Sequence, residues 1–283
     1  MESNVQIIEP RSSGFNLRFK EVWHYRDLLT MFVKRDFIST YKQTLLGPLW
    51  FFVQPILTTL MFTIVFGKLG GFKTDGQPKI LFYFSGITIW NYFSDCFTKI
   101  STVFKDNASI FGKVYFPRIL TPLAISTSGL IRFGIQYFLF ILILLYYYFQ
   151  LDSTVHPTRY ILLTPLLIIL MAGFAMGTGM IISAMTSRYR DLIFLISFGV
   201  QLLMYATPII YSVASLKEKN PQYAYYSMLN PLSSVVETFR YAYLGSGTFS
   251  WMALAYSTGF MLLLLFYGAY IFNKVEKTFM DTV

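Results

Sequence analysis

Residues 35–67 read RDFISTYKQTLLGPLWFFVQPILTTLMFTIVFG, a charged stretch that turns, across the four residues LLGP, into a long apolar run. Lys34, Arg35, Asp36 and Lys42 stand directly before it. About 20 residues at 1.5 Å rise cross a hydrocarbon core of roughly 30 Å. The run at 49–66 and five further segments, 80–99, 119–149, 160–186, 191–213 and 251–272, are therefore read as spans. The chain is 55% hydrophobic and only 13% charged, against about 25% charged in a soluble domain. An all-α integral membrane protein with a single domain over 1–283 is the expectation.

Six spans put both termini on one side, and cations decide which side. Fifteen Lys and Arg fall in the N-terminal 47 residues, the 99–118 loop, the 187–190 turn and the tail. Seven fall in the alternate loops, and Arg132 lies inside a span. Cationic loops stay cytoplasmic, so both termini are expected in the cytoplasm. The net charge of +9 is read as this topology signal and not as a nucleic-acid surface, because no basic run reaches five residues. The first 47 residues hold no apolar core of signal-peptide length, so the first span is expected to direct insertion.

Before the first span, residues 17–42 carry Leu17, Val22, Tyr25, Leu28, Leu29, Phe32 and Val33 near helical spacing, with charges between them. Such a helix is expected to lie in the interfacial plane. Within LLGP, Gly47 relaxes the backbone and Pro48 starts the span. Arg35 and Lys42, with Leu46 and Gly47, would sit at headgroup depth.

The stretch 222–245 ends in NPLSSVVETFRYAYLG (230–245), with Asn230 as N-cap, Pro231 at N1, Glu237 and Arg240 three apart, and Gly245 as a stop. It reads either as a half-buried outer helix re-entering between spans or as an amphipathic surface helix.

Chemistry is sparse. There is no phosphate-binding loop, no paired-acid signature, and one cysteine, Cys96. His24 and His156 fall in segments on opposite sides of the membrane, so no catalytic residue and no metal site is assigned. Arg132, with Gln136 four residues on, is a costly residue within a span; it must face an aqueous cavity or an anion, or pair with a carboxylate. Asp95 and Lys99 are read as a local i,i+4 ion pair. GFAMGTGM (173–180) has the small-residue spacing that lets helices approach closely. The 21 Tyr, 29 Phe and 4 Trp exceed the needs of interfacial belts; most should pack or face lipid, but ring faces also suit sugars.

Several stretches then resemble one family in order. WHYRDLL (23–29), RDFISTYKQTLLGPLW (35–50) with Gln54–Pro55, KVYFPRILTPLA (113–124), SRYRDL (187–192), TPIIY (207–211) and NPLSSVVETFR (230–240) resemble ABC-2 type permeases of polysaccharide and polyol-phosphate exporters. The resemblance implies six transmembrane helices, an N-terminal interface helix and short re-entrant gate helices between spans five and six. It implies a homodimer of this chain bound to two copies of a separate ATPase subunit, which would carry ATP and Mg, with no cofactor in this chain. The substrate would be a lipid-linked glycan of O-antigen, teichoic acid or capsule type, and the site the bacterial cytoplasmic (inner) membrane.

By the same resemblance the interface helix and residues 103–117 would dock on the ATPase, through Arg26, Asp27, Lys105, Asp106, Asn107, Arg190 and Asp191. Trp50, Phe51, Trp90, Tyr92, Phe93 and Tyr137 would line the glycan path. Tyr225, Tyr226, Asn230, Pro231, Glu237 and Arg240 would form the outer gate. A small-molecule exporter, a membrane-embedded glycan-modifying enzyme and a self-standing channel are the competing readings. An enzyme lacks its paired acids or metal site in this sequence, and a channel has no use for a basic interface helix.

Overall fold

A computed structural model of the chain describes residues 23–42, 44–114, 116–150, 154–189 and 191–279. The described residues form helices and their connections, with no strand. Helix α1 (Arg26–Tyr41) precedes the first apolar run, which comprises a 3-10 turn (Gly47–Leu49), α2 (Trp50–Phe62) and a wide π-helical turn (Thr63–Leu69). Then follow α3 (Lys79–Ser101), the single-turn helices α4 (Val103–Asp106) and α5 (Ala108–Phe111), and α6 (Leu120–Tyr148). A 3-10 turn (Arg159–Leu163) leads into α7 (Thr164–Thr186), followed by α8 (Leu192–Ala206). The short helices α9 (Val213–Lys219), α10 (Pro221–Leu229) and α11 (Pro231–Leu244) come before α12 (Trp251–Phe279).

Four helical stretches are long and apolar enough to cross a membrane: Gly47–Leu69, Leu120–Tyr148, Arg159–Thr186 and Trp251–Glu276. The chain is thus a multi-pass membrane protein. The other two expected spans differ in kind. Helix α3 has 23 residues but is less apolar, because it carries Lys79, Asp95, Lys99 and a row of hydroxyl and amide side chains. Helix α8 is apolar but has only 15 residues and ends well before the expected residue 213. The cause is Pro208: a residue preceding proline is pushed out of the helical region, and Thr207 is extended (φ −101°, ψ 142°). The two Asn-Pro steps cut the stretch before α12 the same way, with Asn220 and Asn230 both extended.

The packing centre is α7, which lies against α12 and α3 over the longest contacts in the molecule. Its glycines make this possible. A Cβ on Gly177 would stand 2.7 Å from the Leu264 carbonyl carbon and 2.8 Å from the Leu265 nitrogen of α12. Gly179 meets Ile100 of α3 at 2.7 Å, and Gly268 of α12 lies on the Gly177 carbonyl. The close approach read from GFAMGTGM is therefore present.

Helix α11 is neither half-buried nor a surface helix. It packs against α3, α7, α12 and the 159–163 turn, and most of its side chains are buried. Its ends match the sequence: the Leu232 amide donates to Asn230 Oδ1 at 3.0 Å, and Gly245 adopts φ +73°. What permits full burial is that its charges are neutralised internally. Arg240 is 0% exposed. Its Nη2 donates to the Ile209 carbonyl at 2.6 Å, and its Nη1 reaches the Pro208 and Tyr211 carbonyls and, at 3.3 Å, Glu237 Oε1. The guanidinium lies 3.7 Å over the Phe82 ring, and Gly86 leaves it room, since a Cβ there would stand 2.9 Å from Arg240 Nη2. Glu237 accepts the Thr248 amide at 3.0 Å. Arg240 thus takes up carbonyls just beyond the helix end at Pro208, and one side chain ties α8, α3 and α11 together.

Two outcomes follow for stability. Gly177→Leu is expected to cost about 1–3 kcal/mol by overpacking α7 on α12, read as a lower melting temperature of the detergent-solubilised protein. Arg240→Met strands Glu237 and is expected to cost about 3–5 kcal/mol. In Arg240→Met/Glu237→Leu no buried charge is stranded, so thermal-shift measurements should show part of that loss regained.

Candidate functional site

Four of the residues expected to meet a partner or lipid headgroups, Arg35, Lys105, Asp106 and Asn107, come together where α1, α3, α6 and the 103–111 segment join. The apolar face of α1 is used inside the protein. Phe32 is buried, edge-on to Phe116 at 5.4 Å, while Leu28, Leu29 and Val33 pack on the same core along α6. The expected start of this helix at residue 17 lies outside the described residues.

Arg35 lies 4.8 Å over the Phe32 ring and donates from Nη2 to Asn107 Oδ1 at 3.1 Å. Asn107, which is buried, returns its amide to the Val103 carbonyl at 3.1 Å. The break between α4 and α5 falls at this asparagine. A residue expected at headgroup depth and one expected in the docking loop are therefore hydrogen-bonded to each other. Lys105 and Asp106 are both exposed, and Thr102 Oγ1 donates to Asp106 Oδ2 at 2.6 Å. At the far end of the loop, Arg118 lies 5.1 Å over Phe111 and donates to the Glu276 carbonyl at 2.9 Å. Burial pulls the Arg118 guanidinium below its ordinary value, and Glu276 opposes that shift.

Next to Arg35, Asp36 turns inward. Lys99 Nζ donates to its two oxygens at 3.0 and 3.3 Å, Ser128 Oγ donates to Oδ2, and Arg132 Nη2 stands 3.9 Å from Oδ2. One carboxylate of α1 thus holds α3 and α6 together. This corrects the expected local Asp95–Lys99 pair: Lys99 reaches past its own helix to Asp36. It also resolves the alternatives for Arg132, whose nearest anionic group is a carboxylate. Further in, Asn91 Nδ2 donates to Gln136 Oε1 at 3.2 Å, so polar contacts between α3 and α6 continue beyond Arg132. A cleft of about 430 Å3 opens beside this cluster, lined among others by Arg35, Asp36, Lys99, Asp106 and Asn107.

The remaining expected residues divide as follows. Arg26 and Asp27 are exposed and 3.9 Å apart. Asp191 is exposed, and Arg190 lies outside the described residues. Lys42 is exposed at the C-terminal end of α1, Leu46 is exposed, and Gly47 takes φ +52°. Trp50 is exposed, but Trp90, Tyr92 and Phe93 are 3%, 3% and 1% exposed. Tyr92 donates to the Ser126 carbonyl at 3.2 Å with its ring against Phe133. These three aromatics are core residues of a single copy of the chain, so their assignment to a glycan path is corrected. Phe51 is likewise buried, stacked on Phe37 at 5.8 Å. The Tyr137 hydroxyl is shared with Tyr243. Tyr225 and Tyr226 are exposed on α10, whereas Glu237 and Arg240 are the buried staple described above.

Asp36 and Ser128 carried no assigned role in the sequence reading. Asp36 hid among the cations of VKRD, and its partners lie 63 to 96 positions along the chain. The available signal was Arg132 itself, an arginine within a span that requires an anionic partner.

Comparison with known proteins agrees with this architecture. The chain is 27% identical over 256 residues to an O-antigen export system permease protein RfbA of Klebsiella pneumoniae, covering 90% of this chain and 94% of that protein. It is 25% identical over 267 residues to the protein of the same name in Myxococcus xanthus, covering 93% and 98%. Residues 27–244 match the family described as ABC-2 type transporter. With most of its length inside that match, the chain belongs to the ABC-2 type transporter family.

Proposed function

We propose that this chain is the membrane-spanning subunit of an ATP-driven exporter that moves a lipid-linked polysaccharide of the O-antigen type across the bacterial cytoplasmic membrane. The observation that carries the reading is the continuous link from an exposed loop to the spans: Lys105 and Asp106 outside, Asn107 to Arg35, and Asp36 to Lys99 and Arg132. A transporter driven by a separate ATPase needs such a transmission, since ligand-driven motion must act through contacts that differ between two states. The relatives named as O-antigen export permeases support the substrate class.

In this reading α2, α3, α6, α7, α8 and α12 are the six spans, and both termini face the cytoplasm. Helices α10 and α11 form the outer re-entrant pair, held by Arg240 and Glu237. Two copies of the chain bind two ATPase subunits, and these hold ATP and Mg. Arg26, Asp27, Lys105, Asp106 and Asp191 face the ATPase. Arg35, Lys42, Leu46 and Gly47 mark the level at which the phosphate of the lipid carrier enters, a depth where cations attract anionic headgroups. Of the aromatics first considered, exposed Trp50 remains a candidate for the glycan path, with Tyr225 and Tyr226 at its outer end.

Removal of the chain from a bacterium that depends on it is expected to leave the glycan lipid-linked inside the cell, with none at the surface. Lys105→Glu/Asp106→Lys is expected to insert normally yet lower surface glycan at least tenfold. Ordinary surface glycan in that variant, measured by immunoblot against its membrane level, would contradict the docking role of the loop.

A further inference from the structure

The charges around Asp36 are not fully matched. Two carboxylates, Asp36 on α1 and Asp95 on α3, and two cations, Lys99 on α3 and Arg132 on α6, meet around Lys99, which bonds Asp36 and stands one helical turn from Asp95. Asp36 and Lys99 are well engaged with each other, and the other two are not. Arg132, whose side chain is 8% exposed, has its Nη2 buried without a hydrogen bond and stands 3.9 Å from Asp36. Asp95, on the exposed side of α3, makes no ion pair or hydrogen bond among the described residues. Yet Asp95 and Lys99 are four residues apart on α3, the spacing at which opposite charges on a helix meet. Lys99 is also the more accessible of the two cations, its side chain 31% exposed.

From this mismatch we infer that Asp36, Asp95, Lys99 and Arg132 form an ion-pair exchange that positions α1 against the spans during transport. In the arrangement seen, Lys99 and Ser128 hold Asp36. A shift of α1 by about 1 Å would bring Arg132 and Asp36 to charge-assisted hydrogen-bond distance. That shift releases Lys99, which folds back one turn onto Asp95. In the arrangement seen both cations face Asp36 while Asp95 stays unpaired but exposed; in the other arrangement each cation has its own carboxylate, so no buried charge is stranded. The push comes through Asn107 and Arg35, the neighbour of Asp36, so the exchange converts movement of the 103–111 segment into movement of α1 relative to α3 and α6. Asp36 and Asp95 are positioning residues in this scheme, and the scheme rests on the proposed coupling to an ATPase.

The test uses the full complex of this chain with its ATPase subunit in proteoliposomes. In a Cys96→Ser background, spin labels at Ser39→Cys on α1 and Thr98→Cys on α3 report their separation without nucleotide and with ATP bound to a hydrolysis-deficient ATPase. The distance is expected to change on ATP binding. Asp95→Asn is expected to copurify with the ATPase and hydrolyse ATP within twofold of the unaltered complex. It should lose at least tenfold in glycan translocation and lose the ATP-dependent distance change, and Asp95→Glu should restore both. Translocation by Asp95→Asn within twofold, or no distance change in the labelled parent, overturns the exchange. So does loss of copurification together with transport, which would make Asp95 a structural residue. If the unaltered chain binds no ATPase, the exchange and the proposed function fall together; if it binds one and only Asp95→Asn is silent, the exchange alone falls.

Discussion

A guanidinium can sit among apolar helices only if anions or carbonyl oxygens surround it. This molecule meets that constraint twice, in opposite ways. At one end Arg240 is enclosed: three backbone carbonyls, Glu237 and the Phe82 ring surround its two terminal nitrogens and leave it no exposed surface. At the other end Arg132 shares a single carboxylate with Lys99 and Ser128, at 3.9 Å and without a hydrogen bond from Nη2. The first arrangement fixes α8, α3 and α11 to one another. The second joins α1 to α3 and α6.

The same contrast separates framework from moving parts. Helices α3, α7 and α12 approach each other through glycines whose positions admit no side chain, and interiors packed this closely transmit displacement instead of absorbing it. Helix α1 lays one apolar face along α6 and carries two adjacent charged residues, Arg35 toward the loop and Asp36 toward Lys99 of α3 and the α6 residues Ser128 and Arg132. Adjacent residues with these two targets connect the 103–111 segment through α1 to the long apolar helices, the link on which the proposed transmission rests.

Much of this was legible in the sequence because local rules governed it. The helix from Pro231 to Leu244 begins at a capping asparagine and ends at a left-handed glycine, as the residue types require. Close packing at Gly177 followed from spacing alone. The end of α8 at Ala206 obeys an equally local rule, the exclusion of the residue before Pro208 from helix, and a hydropathy reading that continued to residue 213 overrode it. What stayed hidden was pairing across distance. Asp95 and Lys99 have ideal helical spacing, but nothing local reveals that Asp36, 63 residues before Lys99, competes for the lysine. Aromatic composition likewise could not distinguish a ring facing a channel from Tyr92, whose hydroxyl is used inside the core.

The account stands or falls on whether this chain, with an ATPase, moves a lipid-linked glycan. The most direct measurement reconstitutes both subunits in vesicles bearing fluorescent lipid-linked glycan and follows its accessibility to an enclosed glycan-degrading enzyme. The account predicts an ATP-dependent appearance of glycan on the far leaflet that requires both subunits. Vesicles that hydrolyse ATP without moving glycan, or that move glycan with this chain alone, would contradict it.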